Sequence, residues 1–205
     1  MCGITGWISV NNILQKEAFK KATDRLHHRG PEASGYYYND PNTVALGHRR
    51  LKIIDLSDAS SQPFYSACGR YVIVYNGEIY NFRQIAKDLG LHLKTNGDTE
   101  VIVEAFAKIG TSSFALLNGI FAFCIYDIQE DKFFLCRDRI GVKPLYYYFD
   151  GQQFIFASEI KAIKEMPDTN LAINTKSFSE FLHIGFVAEP NTAYKHIHKF
   201  PAGKY

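Results

Sequence analysis

Apolar positions along the chain recur with two periods, and the switches between them outline the elements. Residues 3–10 form an apolar, β-branched run of the kind found in a buried strand, and Asn11-Asn12 supplies a turn after it. Between residues 16 and 28, Ala18, Phe19, Ala22 and Leu26 share one helical face, and Gly30-Pro31 stops that helix. Residues 35–38 and 44–48 read as strands joined by the turn residues Asn39-Asp40-Pro41-Asn42, and residues 51–55 are a further short apolar run. Residues 70–75 predict a strand that runs into Asn76-Gly77, and residues 82–89 a short helix. Asp98 stands as the N-cap of a helix over 99–109, with Val101, Ile102, Ala105, Phe106 and Ile109 on its inner face. Two hairpins follow, 120–127 with 132–137 and 145–149 with 153–157, the second turned by Asp150-Gly151. Residues 158–164 and 178–184 read as helices, and the stretch from Pro190 as connector. Hairpins with helices clustered between them predict an α+β fold of stacked antiparallel sheets, not a doubly wound parallel sheet.

Composition narrows the classes of function. At 205 residues the chain can bury a sizeable core, and 46% hydrophobic with 21% charged residues is ordinary for a globular protein. The formal net charge of +2 is dispersed apart from pairs such as Arg49-Arg50, which gives nucleic acid no footprint. No run is long enough to span a membrane, and the start lacks the basic and apolar regions of a signal peptide. The four cysteines, Cys2, Cys68, Cys124 and Cys136, fit no zinc spacing. Cys124 and Cys136 sit in apolar runs as reduced core residues, so a cytoplasmic location is the expectation.

Four polar groups at element ends carry candidate chemistry. Removal of Met1 would give Cys2 a free α-amine beside its thiol. A thiol titrates near 8.5 and an α-amine near 7.7–8.0, so proton transfer between them costs only about 1 kcal/mol. One residue then holds nucleophile and base together. The structural alternative is a small residue starting a strand. His48-Arg49-Arg50 ends a strand, where an arginine can hold a carboxylate through two parallel bonds or simply sit as surface charge. In Asn76-Gly77-Glu78 an amide and a glycine N–H can point at a developing oxyanion, although Asn-Gly is equally a turn signal. Asp98, at a helix start, serves as a cap or as an anion for an ammonium. Together these groups suit a small amino acid.

The order of Met1-Cys2-Gly3-Ile4, His28-Arg29-Gly30-Pro31, Gly47-His48-Arg49-Arg50-Leu51 and Tyr75-Asn76-Gly77-Glu78-Ile79-Tyr80-Asn81 resembles one family. So do Asp98-Thr99-Glu100-Val101, Asn118-Gly119-Ile120-Phe121-Ala122-Phe123, the run from Arg137 to Tyr147 and Phe200-Pro201-Ala202-Gly203. The chain resembles the glutaminase domain of glutamine-hydrolysing asparagine synthetases, a class II glutamine amidotransferase of the N-terminal nucleophile hydrolase group. That resemblance implies a four-layer αββα sandwich over residues 1–190, with 191–205 beginning a connector to a synthetase domain in cis. It implies loss of Met1 and hydrolysis of L-glutamine to glutamate and ammonia. Cys2 would be the nucleophile and its amine the base, with Asn76 and the Gly77 N–H as oxyanion hole. Arg50 would grip the substrate carboxylate, Asp98 and Glu78 would meet its ammonium, and backbone at Leu51, Ile53 and Ile54 would line the pocket.

The resemblance implies no metal or cofactor for this half-reaction. ATP and Mg would belong to the synthetase domain, whose Ser-Gly-Gly-Leu-Asp-Ser loop does not occur here. Neither nucleic acid nor membrane is an expected partner, and a homodimer is compatible with the family. Glu32 and Gly97 depart from the usual aspartate and serine, at positions outside the expected chemistry. Two alternatives stay open: an ammonia acceptor that is a sugar carboxylate in surface-polysaccharide synthesis, and a non-catalytic interaction domain. Retention of Met1 would leave the Cys2 nitrogen an amide, unable to act as a base.

Overall fold

In the computed structural model, which describes residues 1–10 and 14–205, two antiparallel sheets stack face to face. The six-stranded sheet contains β1 (Gly3–Ser9), β2 (Ala33–Tyr38), β3 (Val44–Arg50), β8 (Tyr146–Phe149), β9 (Gln153–Ala157) and β10 (Ile197–Lys199). Its strand order is β10-β8-β9-β1-β3-β2. The four-stranded sheet runs β4-β5-β6-β7, from β4 (Phe64–Tyr65), β5 (Tyr71–Ile79), β6 (Gly119–Asp127) and β7 (Lys132–Arg137).

Period-two alternation builds three apolar layers from these strands. Ile4, Leu46, Val72, Val74, Cys124, Leu135 and Phe156 fill the space between the sheets. The opposite face of the larger sheet, with Trp7, Ala45 and Ile155, packs on Phe19, Ala22 and Ala162 of α1 (Lys16–Asp24) and α4 (Ile160–Ile163). The outer face of the smaller sheet, with Ile73, Tyr75 and Phe123, packs on α2 (Phe82–Asp88) and α3 (Asp98–Ile109). Helix, sheet, sheet, helix is the four-layer order expected. The core side chains contribute roughly 1.5–3 kcal/mol each by burial. A last helix, α5 (Thr175–Ile184), takes an Asn174 cap and ends at Gly185 in the left-handed region. Cys124 and Cys136 are buried, as their apolar settings implied. No helix among the described residues is long and apolar enough to cross a membrane.

Several elements differ from the pattern-based expectation. The helix expected over 16–28 ends at Asp24. Residues 25–30 follow as tight turns with i to i+3 bonds, which let Gly30 pass against the backbone of Arg49. Asn76-Gly77 is not a turn: β5 continues through both to Ile79, paired with β6. The run 51–55 forms no strand, and Ile53 and Ile54 are exposed. From Pro190 the stretch read as connector contributes β10, whose Ile197 is fully buried beside β8. The Asn11-Asn12 turn lies outside the described residues.

One polar contact ties the sheets together. His48 of β3 is fully buried, and its Nε2 lies 3.2 Å from the Tyr75 carbonyl of β5. A carbonyl only accepts, so Nε2 carries the proton. Burial, reinforced by Arg50 and Arg49, pulls the imidazole down to about 3, against the opposing bond to Tyr75. The unfolded chain therefore binds this proton from about 6.5 downward while the fold refuses it. Stability from this group is complete above about 6.5 and is lost as the pH falls towards 3. Between pH 7 and 5 the loss is expected to be about 2 kcal/mol. Urea unfolding at the two pH values should show that difference shrinking by a similar amount in His48→Gln.

Candidate active site

The strands that fill the interior also build the site. Inward positions on β3 are Val44, Leu46, His48 and Arg50, and on β5 they are Val72, Val74, Asn76 and Glu78. Cys2 keeps the parity of Ile4, and the pairing of Gly3 with Arg49 sets it beside Arg50. At this end of the sandwich the interior changes from apolar to polar. A cavity of about 100 Å³ opens there. Its lining includes all nine residues nominated from sequence: Cys2, Arg50, Leu51, Ile53, Ile54, Asn76, Gly77, Glu78 and Asp98.

Main chain immobilises the sulfur. The Leu51 N–H donates to Cys2 Sγ at 3.4 Å, and Sγ stands 3.6 Å from the Leu51 carbonyl. Arg29 Nε donates to the Cys2 carbonyl at 2.9 Å, while its Nη1 pairs with Glu159 at 2.9 Å. With Met1 attached, burial pushes the Cys2 thiol above its ordinary value. The Leu51 N–H, the terminal ammonium and Arg50 pull the other way.

The candidate oxyanion donors line the same cavity as the sulfur. Asn76 is buried, and its Nδ2 has no hydrogen-bond partner among the described residues. A stranded buried donor costs about 1–3 kcal/mol, a cost that an incoming oxygen would remove. At Gly77 a side chain has no room, because a Cβ would stand 2.4 Å from the Ile120 carbonyl and 2.7 Å from Phe121 Cα. Tyr75, the residue before Asn76, is fixed as well, its N–H donating to Gln62 Oε1 at 2.6 Å.

The charged groups are held as firmly. Arg50 donates to the carbonyls of Ser57 at 2.7 Å and Asp55 at 2.6 Å, and to Ser61 Oγ at 3.3 Å. Three of its five N–H groups are thereby used on the 51–61 loop, leaving two for a ligand. Asp98 is not the expected N-cap. Gly97 occupies that position, and Asp98 begins the helix proper. Its Oδ2 accepts from Tyr75 OH at 2.6 Å and from Ile79 N–H at 2.9 Å. Burial raises its carboxyl above the ordinary value despite those bonds. Glu78 is exposed at the rim.

Sequence reasoning left out Tyr75, Gln62, Asp55, Ser60 and Lys143, all of which line the cavity. Asp55 accepts from Ser57 N–H and Ser60 Oγ at 2.8 Å and from Asn96 N–H at 3.1 Å, bonds that hold its carboxyl well below the usual range. It thereby ties the 51–61 loop to the segment before α3. Such bridges join residues about 40 positions apart and have no local signature. Lys143 lies in a motif noted for its order, but no spacing rule pointed it at Cys2.

Residues 1–205 match the family model described as the glutamine amidotransferase domain. The chain belongs to that family. This glutamine amidotransferase domain is 38% identical over 220 residues to putative asparagine synthetase [glutamine-hydrolyzing] 2 of Methanocaldococcus jannaschii, covering 98% of the chain and 43% of the relative. It is 37% identical to asparagine synthetase [glutamine-hydrolyzing] 3 of Bacillus subtilis, covering 94% of the chain and 32% of that protein. The chain thus spans less than half the length of these relatives. Among solved structures, the glutamine phosphoribosylpyrophosphate amidotransferase from B. subtilis superposes with a TM-score of 0.66 at 22% identity, over 80% of this chain and 43% of that one. At that identity the likeness shows the fold.

In this glutamine amidotransferase domain, Asp98→Ala strands Tyr75 OH and Ile79 N–H in the interior. The expected cost is about 2–4 kcal/mol in urea unfolding. Adding Tyr75→Phe should restore about 1 kcal/mol of it, because the stranded hydroxyl is then gone.

Proposed function

We propose that this domain hydrolyses L-glutamine to glutamate and ammonia, with Cys2 as nucleophile after Met1 is removed. The supporting observation is the convergence, in one cavity, of Cys2 Sγ under the Leu51 N–H, the Asn76 Nδ2 that has no partner among the described residues, Arg50 and Asp98. Glutamine carries a carboxylate, an ammonium and a neutral amide. The cavity offers a cation, an anion and a thiol facing amide donors.

In this reading Arg50 takes the α-carboxylate through its remaining N–H groups. Asp98 and Glu78 take the α-ammonium, and backbone around Leu51, Ile53 and Ile54 forms the wall. The Cys2 amine accepts the thiol proton, and sulfur attacks the side-chain amide carbon. Negative charge develops on the amide oxygen, where Asn76 Nδ2 and the Gly77 N–H receive it. Oxyanion donors of this kind are worth about 3–4 kcal/mol each. The protonated amine passes its proton to departing ammonia and leaves a γ-glutamyl thioester. Water, deprotonated by the same amine, releases glutamate and regenerates the thiol.

The named relatives are asparagine synthetases, so the ammonia is proposed to pass to an ATP-dependent synthetase domain in cis that amidates aspartate. The glutaminase step is tested by intact mass together with glutamate release from glutamine. The active protein is expected to be lighter by one methionine, and Cys2→Ala to lose turnover at least 10³-fold while unfolding at the parental urea midpoint. Undiminished hydrolysis by the Cys2→Ala protein would refute the reading.

A further inference from the structure

Lys143 stands out as a buried cation that makes no ion pair among the described residues. It is only 8% exposed and lines the active-site cavity. Among the described residues it forms no salt bridge, and the contact made by its Nζ is with the thioether of Met1, at 3.4 Å. Buried lysines are ordinarily paired. Here the residue that its Nζ touches is the one whose loss the proposed function requires.

The loop that delivers Lys143 owes nothing to its side chain. Asp138 accepts from the N–H groups of Phe121, Ile140, Val142 and Lys143, at 2.9–3.3 Å. Arg137 donates to the carbonyls of Lys143, Phe200 and Gly141, at 2.6–2.7 Å. Only the main chain of Lys143 takes part. The frame sends its side chain into the cavity that Met1 and Cys2 also line, with Nζ against Met1 Sδ.

We propose that Lys143, backed by Arg29, is a positioning residue for the nucleophile: once Met1 is gone, its ammonium faces the Cys2 amine and keeps that amine in the unprotonated form that accepts the thiol proton. The inference rests on the glutaminase reading. The surrounding charges allow it. Arg29, from the turn after α1, and Lys143, from the 138–145 loop, act on the terminal amine; Arg50 from β3 and Asp98 from α3 act on the Cys2 thiol, and Glu78 from β5 and Asp138 act on Lys143. Glu159 is already paired with Arg29, and Asp138 with main-chain N–H groups. Arg29 and Lys143 already lower the Met1 ammonium, behind the effect of burial. Removal of Met1 moves the ammonium one residue closer to the sulfur and keeps it beside the same two cations.

The test is the pH dependence of kcat/KM for glutamine in the parental protein, Lys143→Met and Lys143→Arg. A neighbouring cation, at an effective dielectric near 20 and after partial screening, displaces an amine by about one pH unit. Loss of that cation raises the amine's pKa, so the acid limb of Lys143→Met should move up by about one pH unit. Lys143→Arg should keep the parental limb, and KM at the optimum should change less than about twofold in Lys143→Met. Superimposed limbs for the parent and Lys143→Met, or an equal shift in Lys143→Arg, would overturn the inference while leaving the glutaminase reading intact. A parent that hydrolyses glutamine with Met1 still attached would remove that reading, and this inference with it.

Discussion

Two stacked sheets share one interior, and each strand that borders it must place every second side chain inward. That rule cannot be suspended at the end of a strand, because a one-residue slip would turn the whole apolar set outward. In this chain the inward series runs from Ile4, Leu46 and Val74 to Cys2, His48, Arg50 and Asn76. The polar groups are therefore driven into low-dielectric surroundings by the register that makes the core. Each is handled differently. His48 stays neutral and bonds across to Tyr75, Arg50 spends donors on loop carbonyls, and Cys2 rests under Leu51. Asn76 keeps a buried donor without a partner among the described residues. A site follows from the packing because the packing leaves that donor, a sulfur and a pair of opposed charges around one small cavity.

The cavity's electrostatics fit the same account. Arg50 and Lys143 bring two cations to its lining, and Asp55, Glu78 and Asp98 three carboxylates, with Arg29 behind them on the Cys2 carbonyl. Burial raises the Cys2 thiol and Asp98 and lowers Lys143. Such groups are kept in place by main-chain and phenolic bonds instead of by one another. A zwitterionic ligand matches a cavity that carries both signs of charge, and a sulfur that gains negative charge during reaction lies within the field of Arg50.

Much of this was legible in the residues. The strands of both hairpins, the helix ending at Ile109 and the buried settings of Cys124 and Cys136 follow from periodicity and burial. The nine nominated residues followed from their types at element ends and from the ordered motifs, and all nine border the cavity. Illegible were features that depend on distant partners. β10 has a single buried apolar residue, Ile197, and so shows no period. Asn76-Gly77 carries a turn's composition, yet its nine-residue strand pairs through it with β6. Asp98 looks like a cap, and its carboxylate is claimed by Tyr75 and Ile79 instead. Lys143 gains its meaning from the frame of Arg137 and Asp138, which only the fold brings against Met1.

The central claim is that one sulfur, at the open end of the sheet interior, reacts with the side chain of glutamine when its own amine is free. A diazoketone analogue of glutamine tests this directly, with the adduct located by peptide mass spectrometry. The account requires a single adduct on Cys2, confined to chains that lack Met1 and suppressed by excess glutamine. Labelling of the exposed Cys68 instead, or equal labelling of Cys2 in chains that still carry Met1, would contradict it.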